Sequence, residues 1–146
     1  MKKIFSIAIL CFFTLSTNAQ ELNFDETVIY IQNKVKDFQN ETLMPNDFTA
    51  KKNGELEVGG SKFNIFDLNN KQKKDLDKTD EFGLEIAHPS LVNYGVIPGI
   101  IFMADGRGVA SLRFKDTITL AEIQRIKKAI IHLRSLCTKE KDPFDK

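Results

Sequence analysis

The hydrophobic pattern changes period twice along this chain, and that change restricts the folds it can adopt. Near both ends, apolar residues recur every three or four positions, which is typical of helices that bury one face. Between these stretches, apolar and polar residues alternate, which is typical of strands with one buried side. The sequence therefore predicts a helix, then about six short antiparallel strands, then a second helix. The helical stripes are Phe24, Val28, Ile31, Val35 and Phe38 in the first helix, and Leu120, Ile123, Ile126, Ile130, Leu133 and Cys137 in the second.

Capping residues mark the start of both predicted helices. Asn23 precedes the first stripe and is followed three residues later by Glu26. Thr119 precedes the second stripe and is followed three residues later by Glu122. This spacing predicts a capping box, in which each side chain bonds the backbone N–H of the other residue.

Turn residues set the register of the first three predicted strands. A two-residue loop at the first turn would place polar side chains opposite apolar ones, so we expect a three-residue loop that ends at a left-handed Gly54. This loop pairs Ala50 with Leu56. At 59–60 a two-residue loop of glycines pairs Leu56 with Phe63.

A later hairpin and the second helix complete the expected fold. The apolar segments 100–104 and 109–114 flank Asp105-Gly106-Arg107-Gly108, whose glycines permit a turn, and the sequence leaves the length of that loop open. We expect one α+β domain, in which a strongly bent antiparallel sheet is closed on one side by the C-terminal helix.

The first nineteen residues have the features of a signal peptide. Two lysines precede an apolar run over 4–15, and small residues lead up to Ala19. We expect cleavage after Ala19, with export of residues 20–146 to the periplasm or the medium. The apolar run is shorter than the roughly 20 residues needed to cross a bilayer, so no transmembrane segment is expected in the mature chain. A lipoprotein signal acylated at Cys11 is the alternative.

Charge composition argues against one class of partner. The full chain has 21 basic and 20 acidic residues, and loss of the two leader lysines leaves the mature chain close to neutral. A protein that binds nucleic acid electrostatically is normally clearly basic, so no nucleic-acid partner is expected.

Known catalytic and cofactor motifs are absent from the sequence. It contains no nucleophile elbow, zinc-protease helix motif, paired-cysteine motif, phosphate-binding loop or dinucleotide fingerprint, so we expect no cofactor and no metal. His88 and Cys137 remain as catalytic candidates.

His88 and Cys137 each have a structural alternative to a catalytic role. His88 shares the inward side of a predicted strand and can act as a general base or ligand, or can bond a nearby backbone group. Cys137 lies on the second helical stripe, where burial as a small apolar group is expected, with a reactive thiol as the alternative. A triad of both residues with an acid would require an exposed thiol.

The segment 69–81 is almost wholly polar and is predicted to be a long exposed loop. Interleaved aspartates cancel much of its positive field. Its lysines are candidate binding residues for a lipid or envelope surface: Lys71, Lys73, Lys74 and Lys78.

The C-terminal run Ala129–Cys137, followed by Lys141-Asp142-Pro143-Phe144, resembles the ending of small exported bacterial proteins of unknown function. A weaker resemblance to the same proteins covers residues 27–35 of the first predicted helix. The resemblance implies a shared fold and assigns no activity or site residue. By element order alone, the chain also resembles a pleckstrin-homology-like roll with an added N-terminal helix.

The sequence thus favours an exported, non-enzymatic binding or envelope-associated module, with an envelope protein or surface as its partner. One alternative is a small hydrolase or thiol enzyme that uses His88 and Cys137. The other is a lipid or envelope-surface binder that uses the lysines of 69–81.

Overall fold

The chain folds as the α+β arrangement that the sequence predicts. The computed structural model describes residues 21–40, 47–69, 81–91 and 95–139. The predicted leader and its alternative acylation site therefore lie outside the described residues, as does most of the predicted loop 69–81. The elements are α1 (Phe24–Phe38), β1 (Phe48–Ala50), β2 (Glu55–Val58), β3 (Ser61–Asn64), a 3-10 turn (Ile65–Asp67), β4 (Leu84–Ala87), β5 (Gly99–Ala104), β6 (Arg107–Arg113) and α2 (Leu120–Leu136).

The six strands are antiparallel and form two sheets of three, ordered β1-β2-β3 and β4-β5-β6. They do not form one continuous bent sheet within the described residues. The chain leaves β3 through the 3-10 turn, where the Asn64 side chain accepts a hydrogen bond from the N–H of Phe66 at 3.0 Å. This local bond turns the backbone out of the strand direction, because an asparagine side chain competes with ladder hydrogen bonds.

The predicted register of the first sheet is confirmed. Ala50 pairs with Leu56, and Leu56 pairs with Phe63. Gly54 ends the first loop with a φ of +90°, and its N–H donates to the Lys51 carbonyl at 2.9 Å.

The β5–β6 hairpin uses a two-residue loop, which resolves the length that the sequence left open. Asp105 and Gly106 have φ values of +48° and +76°, as a tight hairpin turn with two left-handed residues requires. The register then shifts between Phe102 and Met103, and Val109 is the extra residue on β6. This bulge restores the alignment of the apolar side chains beyond the turn.

Both helices pack on each other and on the strands, with α1 against β1 and α2 against β4 and β5. The predicted stripes supply the contacts, because Ile31 and Val35 of α1 and Ile123, Ile126 and Leu133 of α2 are buried. The rest of the core comes mainly from the strands: Phe48, Leu56, Val58, Ile65, Leu68, Leu84, Ile100, Phe102, Leu112 and Phe114.

The capping prediction is confirmed for α1 and half fulfilled for α2. Asn23 and Glu26 form the reciprocal capping box. At α2, the Thr119 side chain accepts from the N–H of Glu122 at 3.2 Å. The carboxylate of Glu122 bonds Lys34 Nζ of α1 at 3.1 Å and also Arg125. The expected second half of this box is therefore replaced by an ion pair that joins the two helices.

Arg134 of α2 lies between the segments that enter and leave the two sheets. Its guanidinium carbon is 5.9 Å from the ring centre of Phe66, which follows β3, and 5.6 Å from that of Phe82, which precedes β4. Cation–π contacts of this kind hold a basic side chain against an aromatic face. The second helix therefore contacts the chain on both sides of the break between the sheets.

Candidate functional site

His88 directly follows β4, and backbone groups occupy both nitrogens of its ring. Its Nδ1 atom accepts from the N–H of Ser90 at 3.1 Å and lies 2.6 Å from the Ser90 hydroxyl oxygen. Because a backbone N–H can only donate, the ring proton belongs on Nε2, which lies 3.3 Å from the Ile118 carbonyl. His88 therefore has the structural role that the sequence offered as the alternative to catalysis, in which its imidazole bonds nearby backbone groups.

Cys137 caps the C-terminal end of α2 and is partly buried. Its Sγ atom lies 3.8 Å from the Lys51 carbonyl, which accepts the thiol proton. Burial raises the pKa of this thiol above its ordinary value, although a hydrogen bond from the Gly54 backbone acts in the opposite direction. Since the thiolate is the nucleophilic form, the environment of Cys137 does not activate it.

The structure does not bring the two catalytic candidates together. The ring of His88 bonds Ile118, just before α2 begins, whereas Cys137 follows the last residue of α2. The 17 residues of α2 rise by about 25 Å, so the two side chains lie at opposite ends of that helix. Within 21–40, 47–69, 81–91 and 95–139, no group of three or more histidine, cysteine or acidic residues is placed to hold a metal ion.

The four candidate lysines Lys71, Lys73, Lys74 and Lys78 lie outside the described residues, so the structure gives them no position. Within the described part of the chain, neither helix has the length and apolar character to cross a bilayer.

A groove of about 740 Å³ lies on the outer face of the second sheet, where Ala87 of β4 and residues of β5 and β6 line it. On β5, Gly99 and Ile101 line it, while the intervening Ile100 is buried in the core. On β6, every residue from Gly108 to Arg113 lines it. Because alternate residues of a strand point to opposite faces, lining by consecutive residues of β6, among them the buried Leu112, means that the groove reaches the backbone of this strand. Backbone as well as side chains therefore contribute to its surface.

Two other segments form the walls of this groove, which we call the β6 groove. One wall is the end of the β2–β3 hairpin, with Val58, Gly59 and Ser61. The opposite wall is the segment before β5, where Ile97 has 41% of its surface exposed. Among the described residues that line the groove, Arg113 is the one with a charged side chain. The groove is therefore largely apolar or neutral, with one cation at the end of β6.

A close backbone approach shapes the floor of the β6 groove. A Cβ atom added to Gly99 would lie 2.3 Å from the Leu112 carbonyl oxygen, closer than real Cβ contacts allow. Only glycine fits at this position of β5 without moving β6. Glycine is favoured where one backbone approaches another closely.

A second, more polar groove of about 530 Å³ lies between α1 and the first sheet. There Gln32 donates through Nε2 to the Phe48 carbonyl at 3.0 Å, and Lys62 pairs with Glu57 at 3.7 Å. Some of the polar side chains near this groove therefore already bond other groups of the same chain.

Sequence reasoning did not find the β6 groove. Its lining comes from four separate parts of the chain, and most of the contributing residues are glycine, alanine, serine or valine. The available signal was the small outward residue of β5 at Gly99, followed by the apolar Ile101. Comparison of the chain with protein families, with curated proteins and with solved structures finds no match.

Proposed function

We propose that this protein is an exported binding module that holds its ligand in the β6 groove. Export rests on the leader pattern of the first nineteen residues. Binding rests on the groove, which α2 leaves uncovered while it packs against the opposite side of β4 and β5. The likeness of the C-terminal run to small exported bacterial proteins agrees with this proposal.

The carrying observation is the combination of volume and surface chemistry in the β6 groove. Its volume of about 740 Å³ lies within the range of about 300–1,000 Å³ that ligand sites occupy. The exposed side chain of Ile97 and the outward side chain of Ile101 supply apolar contact. Apolar surface next to accessible backbone suits a ligand that combines hydrophobic contact with a few hydrogen bonds.

The thiol-enzyme and hydrolase alternatives receive less support. The raised pKa of Cys137 disfavours its nucleophilic form. The ring nitrogens of His88 are both engaged by backbone groups. In addition, His88 and Cys137 lie about the length of α2 apart, too far to form a catalytic dyad.

The test is a screen of a fragment library against isotope-labelled protein, observed by amide chemical shifts. We expect fragments to shift the amides of Gly99, Ile101 and Ser111. The variant Ile97→Glu places a charge in the groove and should weaken those fragments by roughly tenfold or more. Ile29→Glu is the matched control, because Ile29 is an exposed isoleucine on α1 with 55% of its surface accessible. Fragment shifts that survive Ile97→Glu, or that appear only elsewhere, contradict the proposal.

A further inference from the structure

We infer that the exported chain is modified at its new N-terminus, where Gln20 closes on its own amine to form a pyroglutamate lactam that protects the start of α1. This inference rests on the export part of the proposed function, because Gln20 becomes the first residue only when the leader is cleaved after Ala19. It does not depend on the β6 groove.

A glutamine at a free N-terminus holds a nucleophile and an electrophile in one residue. The neutral α-amine nitrogen attacks the side-chain amide carbon, and the new C–N bond closes a five-membered ring. The side-chain nitrogen takes up the proton that the amine gives up and leaves as ammonia. No oxidant, reductant or second substrate is needed. Because both groups belong to one residue, their effective concentration is far above that of separate reactants.

The first helix begins shortly after this position in the chain. Glu21 and Leu22 are exposed, and Asn23 is the N-cap of α1. Only two residues therefore separate Gln20 from the cap. An aminopeptidase cuts from a free α-amine and would reach the cap after three cleavages, whereas the lactam offers it no amine.

The residues that such trimming would remove hold α1 in place. His132 of α2 donates through Nε2 to the Leu22 carbonyl at 2.8 Å. Asn23 forms the capping box with Glu26, through bonds of 2.9 and 3.1 Å. The Asn23 carbonyl also accepts from the hydroxyl of Thr27 at 2.7 Å, and Thr27 is fully buried. Loss of Asn23 would leave this buried hydroxyl without its acceptor, which is costly to a fold.

The modification is tested by intact-mass spectrometry of the exported protein, produced from the full-length precursor and kept at physiological temperature for several weeks. We expect the mass of residues 20–146 less one ammonia. Gln20→Met is the matched control, because methionine has a similar length but no side-chain carbonyl for the amine to attack. This variant should keep the full mass of its mature chain and a free α-amine.

Digestion with an aminopeptidase tests the protection of α1. The wild-type protein should keep its mass, whereas Gln20→Met should lose residues in order through Asn23 and then show a lower urea midpoint. Removal of the lactam with a pyroglutamyl peptidase should make the wild-type protein as sensitive as the variant. If the protein without its lactam still resists trimming, the fold protects the cap and the protective role is overturned.

The mass measurement also separates this inference from the proposed function. A mature chain that keeps its ammonia and a free amine overturns the inference and leaves export intact. A chain that retains its leader, or that carries acyl groups on Cys11, overturns both the expected cleavage and the inference. The fragment screen of the β6 groove is independent of either result.

Discussion

Replacing Gly54 with alanine should test the close packing of the β1–β2 turn against the 3-10 turn. Gly54 has a φ of +90°, and an added Cβ atom would lie 2.8 Å from Cε2 of Phe66 and 2.9 Å from Oδ1 of Asn64. A left-handed backbone costs an alanine about 1–2 kcal/mol, and displacing packed neighbours costs a further 1–3 kcal/mol or so. We expect Gly54→Ala to lower the free energy of unfolding by about 2–5 kcal/mol, measured by urea denaturation followed by circular dichroism.

Gly60→Ala is the matched control for this measurement. Gly60 has a similar φ of +80°, but an added Cβ atom would meet nothing within 4 Å. It should therefore lose about 1–2 kcal/mol from backbone conformation alone. The difference between the two variants reports the cost of displacing Phe66 and Asn64. Equal losses would refute the packing argument, and a negligible loss in both would refute the left-handed backbone at these turns.

Three further measurements test the helices and their ends. Thr119→Ala removes the cap of α2 and should lower stability by about 1 kcal/mol, seen as a lower urea midpoint with an unchanged slope. Lys34→Met should raise the pKa of the Glu122 carboxyl, which the hydrogen bond from Lys34 holds below its ordinary value, in a carbon-detected NMR titration. Since this stabilisation is present above the ordinary carboxyl pKa and disappears as pH falls through the lowered one, the variant should also lose less stability on acidification. Iodoacetamide should label Cys137 slowly in the native protein and rapidly in denaturant, because burial raises the thiol pKa.

Local sequence rules predicted the first sheet because its constraints are local. The pairing of Ala50 with Leu56 depends on a three-residue loop, on the left-handed Gly54 and on keeping apolar side chains together. All three conditions can be evaluated within a few residues of the turn. The structure contains the same register that those conditions require.

The loop length of the β5–β6 hairpin could not be predicted from the residues near the turn. Both Gly106 and Gly108 can adopt positive φ, so the sequence allowed more than one loop length. In the structure, Asp105 and Gly106 form the turn, and the bulge at Val109 absorbs one residue. The bulge keeps Phe102 and Leu112 in the core, so the burial of these side chains, and not the turn residues alone, sets the loop length.

The partner of the Glu122 carboxylate could not be predicted from neighbouring residues either, because it comes from a distant part of the chain. Its position three residues after Thr119 fits a capping box, but its carboxylate bonds Lys34, which lies 88 residues away in the sequence. Cationic groups compete for a carboxylate better than a neutral N–H does. The competing lysine reaches this carboxylate only once α1 packs against α2.

The catalytic candidates show a further limit of sequence reasoning. The inward side of a strand was the reason to examine His88, but the bonds that occupy its ring come from Ser90 and from Ile118 in a distant segment. The β6 groove had no comparable chemical signal. Small residues from four segments become a groove only through the arrangement of the two sheets.

Binding and stability can be separated in this fold, because α2 and the β6 groove lie on opposite sides of β5. Ile100 and Phe102 are buried on the side of α2, whereas Ile101 between them lines the groove. Ile97→Glu should therefore weaken ligand binding with little change in the urea midpoint, since Ile97 is outside the core. Thr119→Ala should lower the urea midpoint and leave ligand binding unchanged, because loss of the α2 cap leaves the groove lining in place. If both variants lose binding in proportion to their loss of stability, ligand binding follows from global folding and the groove is not its site.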